Sequence, residues 1–247
     1  MSKLILHSIQ NAKAQNKKLL ALLVDPDTPE DNELLEIINQ ANKAGVDLIF
    51  MGGSLLVKDS LDHCIDLVKS KTDIPVVLFP GSIMQVSPKA DAILFLSLIS
   101  GRNPDLLIGN QIIAAPYIKQ SGIEVLPTGY MLIDSGKATT ASYMSGSMPI
   151  PHHKSEIAAC TAMAGEMLGL GLIYMDGGSG ADKTVDGKMI SSVCQHVNSP
   201  LIIGGGIKTA EAAKEICEAG ATVVVVGNAT EKDPKILSDI AAAVHAI

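Results

Sequence analysis

Eight short apolar runs punctuate the chain, at 19–24, 47–51, 75–79, 92–96, 123–126, 172–175, 201–203 and 222–226. Their residues do not alternate with polar ones, which predicts strands buried on both faces of a parallel sheet. Helical periodicity separates most of them. Leu34, Leu35, Ile37, Ile38 and Ala41 fall on one face of a helix. Thr28-Pro29-Glu30-Asp31 predicts its start, with Thr28 as N-cap and Pro29 in the first helical position. Gly45 predicts its stop. Asn103-Pro104 and Asp233-Pro234 predict two more helix starts. Ala44-Gly45, Ser121-Gly122 and Ala219-Gly220 each predict a helix end just before a strand. The segments 45–54 and 220–229 echo one another as helix stop, strand and glycine turn. Strand and helix alternating eight times predict an α/β fold, the (β/α)8 TIM barrel.

One crossover breaks the rule. Between Phe79 and Ala92 lie Pro80, Gly81, Ser82 and Pro88, with hardly room for a helix. The third helix is therefore expected to be lost or replaced by an extended segment, leaving a thin wall and an apolar groove. A short, distorted helix is the alternative. Residues 135–151, rich in Ser, Thr, Met, Gly and Pro, form a longer insertion after the fifth strand, as active-site lids do.

Length and composition narrow the picture. The 247 residues fit one barrel of roughly 250 residues, so one domain over 1–247 is expected. Hydrophobic residues make up 47% and charged ones 18%, which excludes disorder. The net charge is −7, and no basic run is present. Aromatics are 3% without Trp, so neither a phosphate-backbone patch nor a base-stacking platform is available, and no nucleic-acid partner is expected. Cys64, Cys160, Cys194 and Cys217 fall in predicted helices and read as small buried apolar residues of a reducing compartment. Their spacing supports no zinc site. No apolar run reaches the ~18 residues of a membrane span, and the N-terminus turns polar too soon for a signal peptide. A soluble, cytoplasmic protein is expected. No basic amphipathic stretch demands membrane contact, although transient contact stays open.

Barrel enzymes place their chemistry at the C-terminal ends of the strands. There stand Asp25 and Asp27, Gly52-Gly53-Ser54, Gly81-Ser82, and Thr128, Tyr130 and Asp134. They are followed by Tyr174-Met175-Asp176-Gly177-Gly178-Ser179-Gly180, Gly204-Gly205-Gly206 and Gly227-Asn228. Three strand ends that open into glycine point to backbone N–H groups converging on a phosphate, against the plainer reading of tight turns. Asp25 is either a turn former before Pro26 or, with the Ser54 hydroxyl, a magnesium ligand. Asp176 is either a cap for the turn that follows or a general base whose pKa burial raises. His152 and His153, in a loop before a helix, read as solvent-facing or capping. No Lys lies in a predicted strand, which weakens a Schiff-base reading.

With these motifs placed, the chain resembles the geranylgeranylglyceryl phosphate synthase family. The resemblance is carried by Val24-Asp25-Pro26-Asp27, Met51-Gly52-Gly53-Ser54, Phe79-Pro80-Gly81-Ser82 and Leu126-Pro127-Thr128-Gly129-Tyr130. Tyr174 to Gly180, Gly204-Gly205-Gly206-Ile207 and Val226-Gly227-Asn228 complete it. It implies a modified barrel without the third helix. It also implies a prenyltransferase joining geranylgeranyl diphosphate to the sn-3 hydroxyl of sn-glycerol 1-phosphate, with release of diphosphate and formation of the first ether bond of archaeal-type lipids. Position by position, Asp25 and Ser54 would bind Mg²⁺. Tyr174, Asp176, Gly177, Gly178, Ser179, Gly180, Gly205, Gly206, Gly227 and Asn228 would hold glycerol phosphate, with Asp176 as base. Many members carry Glu, often followed by Ala, where this chain has Asp176-Gly177. A homo-oligomer is the expected assembly. A phosphate-sugar isomerase and a non-catalytic sensor of a phosphorylated metabolite share the glycine cradle and are the competing expectations.

Overall fold

A computed structural model of the chain describes residues 4–227 and 235–247. Helix α1 (Leu4–Ala14) comes first, then β1 (Leu19–Val24), α2 (Asp31–Ala44), β2 (Leu48–Met51), α3 (Leu61–Lys69) and β3 (Val76–Leu78). Next are β4 (Ala92–Leu98), a wide helical turn at Asp105–Gly109, α4 (Asn110–Ser121), β5 (Glu124–Leu132) and α5 (Thr140–Ser145). The chain ends with α6 (Ser155–Met167), β6 (Leu172–Asp176), α7 (Gly187–His196), β7 (Leu201–Gly204), α8 (Ala210–Glu218), β8 (Val223–Val226) and α9 (Lys235–His245). The strands pair in parallel and in chain order, and β8 closes on β1 with Leu20 opposite Val224. All eight apolar runs are strands, so the buried parallel sheet is observed.

Two apolar layers hold the barrel. Inward side chains, among them Ala21, Phe50, Val77, Leu94, Leu126, Leu172 and Ile202, fill its interior. Outward ones, such as Ile49, Ile93, Ile173 and Val224, pack against the helices. The spacing in α2 shows why it folds there. Leu34, Ile38 and Ala41 are buried along one face, and each fully buried Leu or Ile adds about 1.5–3 kcal/mol. Helix α1 plugs the N-terminal end of the barrel. Ile5, Leu6 and Ile9 join the interior cluster, and the Glu124 carboxylate accepts the Ile5 and Leu6 N–H groups at 2.8 and 2.9 Å. This satisfies two of the donors that a helix start leaves open.

Between β3 and β4, residues 79–91 form no helix, as the short link predicts. Several local expectations are corrected. Helix α2 starts at Asp31 with Glu30, not Thr28, as its N-cap, paired with Glu33 in a capping box, and Asp27 ties the preceding turn to the loop after β2. Its carboxylate accepts from the Val57 and Lys58 N–H groups and the Ser60 hydroxyl. Strand β5 runs on through Pro127, Thr128, Gly129 and Tyr130 to Leu132, because β4 and β6 pair with it on both edges. Cys64 and Cys217 are buried, but Cys160 is exposed and Cys194 half-buried. The helix start at Asp233-Pro234 lies outside the described residues. Among the described residues, no helix is long and apolar enough to cross a membrane.

Candidate active site

A cavity of about 520 Å³ opens at the C-terminal end of the barrel and extends outward beneath α4. Asp25, Ser54, Tyr174, Asp176, Ser179, Gly180, Gly205, Gly206 and Gly227 all line it. Five strand ends thus bring these expected site residues to one place. Gly177 and Gly178 do not line it. Their N–H groups bond inward, Gly177 to the Gly204 carbonyl at 3.0 Å and Gly178 to Asp176 Oδ1 at 2.7 Å. Asn228 lies outside the described residues.

The cradle side is built by the turns after β6 and β7. Gly205 has φ +87°, and a methyl there would lie 2.6 Å from the Gly178 nitrogen. Only glycine lets the two turns stack this closely. The N–H groups of Gly180, Gly205 and Gly206 make no hydrogen bond among the described residues, and all three residues face the cavity. Lys208, two residues on, is the only cationic side chain among the described residues that line it. Its Nζ lies 3.5 Å from the Ala181 carbonyl oxygen. Its place after Gly204-Gly205-Gly206-Ile207 is a signal that sequence reasoning passed over.

Asp176 closes β6 and is 6% exposed. Oδ1 accepts the Gly178 N–H, so the residue does cap its turn; Oδ2 accepts the Tyr130 hydroxyl at 2.6 Å. Burial pushes the carboxyl pKa above its ordinary value, partly offset by these two hydrogen bonds. Burial and the Asp176 charge push the Tyr130 and Tyr174 phenols well above theirs. Phe79, Tyr130 and Tyr174 pack as one cluster, with Phe79 stacked on Tyr174 at 5.0 Å and Tyr130 edge-on to Tyr174 at 5.5 Å.

Across the mouth, Asp25 Oδ1 accepts the Asp27 N–H at 3.0 Å, while Oδ2 has no hydrogen-bond partner among the described residues. Burial raises the Asp25 pKa, the Asp27 N–H opposes it, and the Asp27 charge adds to it. An uncompensated carboxylate oxygen and the Ser54 hydroxyl facing one cavity fit a hard cation that keeps several waters. Among the described residues no group of three or more His, Cys, Asp or Glu could hold a metal ion. Gln85, 3% exposed, clamps this side: its amide accepts from Gly53 and Gly81 N–H and donates to the Gly53 carbonyl at 2.8 Å.

The third wall is apolar. Where a helix is missing, Val86, Ile93, Phe95, Leu106, Ala114 and Ile118 line the cavity on the outer face of β4 and under α4. The insertion after β5 contributes Thr140, Ala141, Met144 and Ser145 of α5. Thr139 caps α5, its Oγ1 accepting the Ser142 N–H at 3.3 Å. His152 and His153 lie outside the cavity lining and are exposed.

A profile of the PcrB family matches residues 12–244. A protein of Chitinophaga pinensis named geranylgeranylglyceryl phosphate synthase is 51% identical over 242 residues, 98% of this chain and 96% of that one. One of the same name from Spirosoma linguale is 48% identical, over 96% of this chain and 95% of its own. The crystal structure of (S)-3-O-geranylgeranylglyceryl phosphate synthase from Thermoplasma acidophilum in complex with sn-glycerol-1-phosphate superposes with a TM-score of 0.93. It is 33% identical, over 98% of this chain and 99% of that one. The chain therefore belongs to the PcrB family, alongside proteins named geranylgeranylglyceryl phosphate synthase.

Proposed function

We propose that the chain transfers the geranylgeranyl group of geranylgeranyl diphosphate to the sn-3 hydroxyl of sn-glycerol 1-phosphate, releasing diphosphate. One observation carries this reading: an anion cradle and an apolar groove share one cavity. A phosphate-sugar isomerase needs the first and has no use for the second. The relatives' names and the glycerol-phosphate complex of the Thermoplasma protein support the same substrates.

The residues divide the work. Backbone N–H groups of Gly180, Gly205 and Gly206, with Lys208 beside them, hold the phosphate. That fixes the glycerol and aims its free hydroxyl toward β5. The groove under α4 takes the prenyl tail and keeps water from the allylic carbon. Asp176 is the base on which removal of the hydroxyl proton depends. Asp25 and Ser54 would hold Mg²⁺, which would offset charge on the departing diphosphate. Asp25→Asn is expected to abolish Mg²⁺-dependent turnover and weaken Mg²⁺ binding in calorimetry while glycerol phosphate still binds. Wild-type activity at limiting Mg²⁺ would remove Asp25 from the site. Self-association belongs to the same proposal, supported by exposed Ile108, Ile112, Ile113 and Tyr117 on and just before α4.

The test of the whole reading is incubation with glycerol 1-phosphate and a ladder of prenyl diphosphates, with products read by mass. A prenylglyceryl phosphate is expected, and free prenyl alcohol or unchanged substrate would refute the assignment.

A further inference from the structure

The carboxylate at the centre of the site faces inward. Asp176 is 6% exposed, and each of its oxygens already accepts one hydrogen bond, from Gly178 N–H and from the Tyr130 hydroxyl. Tyr130 is half-buried and lines the cavity. It stands between the two halves of the site. In register it pairs with Leu98 of β4, whose outer face forms the groove, and with Tyr174 of β6, which leads to the cradle. Phe79 at 5.8 Å and Tyr174 at 5.5 Å hold its ring edge-on. A phenol held this way gives its proton to Asp176 and keeps lone-pair capacity to accept another.

We propose that Tyr130 is a catalytic residue, accepting the proton of the attacking hydroxyl while passing its own to Asp176. The proposal rests on the prenyl-transfer reading above. The hydroxyl oxygen forms the new bond to the allylic carbon, and the bond from that carbon to the diphosphate oxygen breaks, its electron pair leaving with the diphosphate. The hydroxyl proton goes to Tyr130 Oη, and the Tyr130 proton goes to Asp176 Oδ2. After product release Asp176 returns a proton to Tyr130, and Tyr130 gives one to solvent through the open cavity. Burial and the Asp176 charge keep the phenol protonated at rest, so it conducts a proton without standing as a phenolate. The short carboxylate fits this arrangement, because the phenol supplies the reach that Asp176 lacks.

Single-turnover rates with Mg²⁺, glycerol 1-phosphate and geranylgeranyl diphosphate test the relay in wild type, Tyr130→Phe, Asp176→Asn and the double variant. Tyr130→Phe is expected to lose about 10²–10⁴-fold in rate, the range of a positioned acid–base group, with glycerol 1-phosphate affinity by calorimetry unchanged. The double variant is expected to be no slower than the slower single variant, because both changes break one route. The wild-type rate against deuterium fraction should curve, as two moving protons require, and the curvature should vanish in Tyr130→Phe. A fluorinated tyrosine at 130 keeps the shape and lowers the phenol pKa, so the basic limb of the rate profile should move down. Wild-type rates in Tyr130→Phe, multiplicative losses in the double variant, a linear deuterium dependence or an unmoved basic limb would each overturn the relay while leaving prenyl transfer standing. Absence of product from the wild-type enzyme would overturn the transfer reading, and the relay with it.

Discussion

Asp176 stands where burial works against charge, and that conflict makes a prediction about stability as well as rate. Burial raises its pKa, and the Tyr130 and Gly178 hydrogen bonds only partly counter the rise. The folded protein therefore holds this proton more tightly than the unfolded chain does. The stability this gives is full below the ordinary carboxylate pKa and is lost as pH rises through the folded value. Above that folded value the ionised group lowers stability. Asp176→Asn removes the charge, and its amide can still accept from Gly178 N–H and donate to the Tyr130 oxygen. It is expected to raise the neutral-pH Tm while turnover falls about 10²–10⁴-fold. Below the ordinary carboxylate range the Tm gain should disappear. A lower Tm at neutral pH would show that the two hydrogen bonds outweigh burial. Asp176→Glu restores the longer carboxylate that the family resemblance implies at this position, and it is expected to stay active. The sequence marks Asp176 by its place at a strand end beside glycines. Its pairing with Tyr130, 46 residues away, is invisible there because only closure of the barrel creates it.

Elements differ in how much of their geometry is local. The helix stop at Gly45 is legible because its cause is local: φ is +73°, and nothing lies near the place a methyl would take. Gly45→Ala should cost only the left-handed strain, about 1–2 kcal/mol, and leave activity alone. Gly205 looks the same in the sequence but answers to a distant partner. Its added methyl would lie 2.6 Å from the Gly178 nitrogen and 3.0 Å from Asp176 Oδ1. Gly205→Ala is expected to abolish glycerol phosphate binding in calorimetry and to lower the Tm further than Gly45→Ala. Equal melts and intact binding would show that the two turns can part without harm. The same contrast explains the misplaced strand end. The fifth apolar run ends at Leu126, but pairing on both edges carries β5 past it to Leu132. Pro29 reads as a helix start, but Glu30 and Glu33 form the capping box that begins the helix at Asp31.

At the scale of the molecule, the missing helix links the fold to the proposed prenyl groove. The barrel was legible because eight buried strands leave eight uninterrupted apolar runs, and the gap after Phe79 was legible as a shortage of residues. The N-terminal plug was not read, because α1 gains its meaning only from the open barrel end that Ile5, Leu6 and Ile9 fill. The groove's floor was equally hidden, since α4 reaches it from beyond β4. Ala114 and Ile118 are buried on the inner face of α4 and line the cavity with Ile93 of β4. A small residue at 114 leaves room there, so its size should limit the donor. Ala114→Trp would fill the space beneath α4 with a large side chain that the exposed end of the helix cannot absorb. Overpacking typically costs about 1–3 kcal/mol, which a protein with this core should survive. The expected outcome is a shift in the prenyl ladder toward donors shorter than geranylgeranyl diphosphate, with glycerol 1-phosphate affinity unchanged because the cradle lies across the barrel mouth. Unaltered preference for geranylgeranyl diphosphate in a folded Ala114→Trp variant would place the tail elsewhere, and the thin wall between β3 and α4 would then be a structural accident of the lost helix.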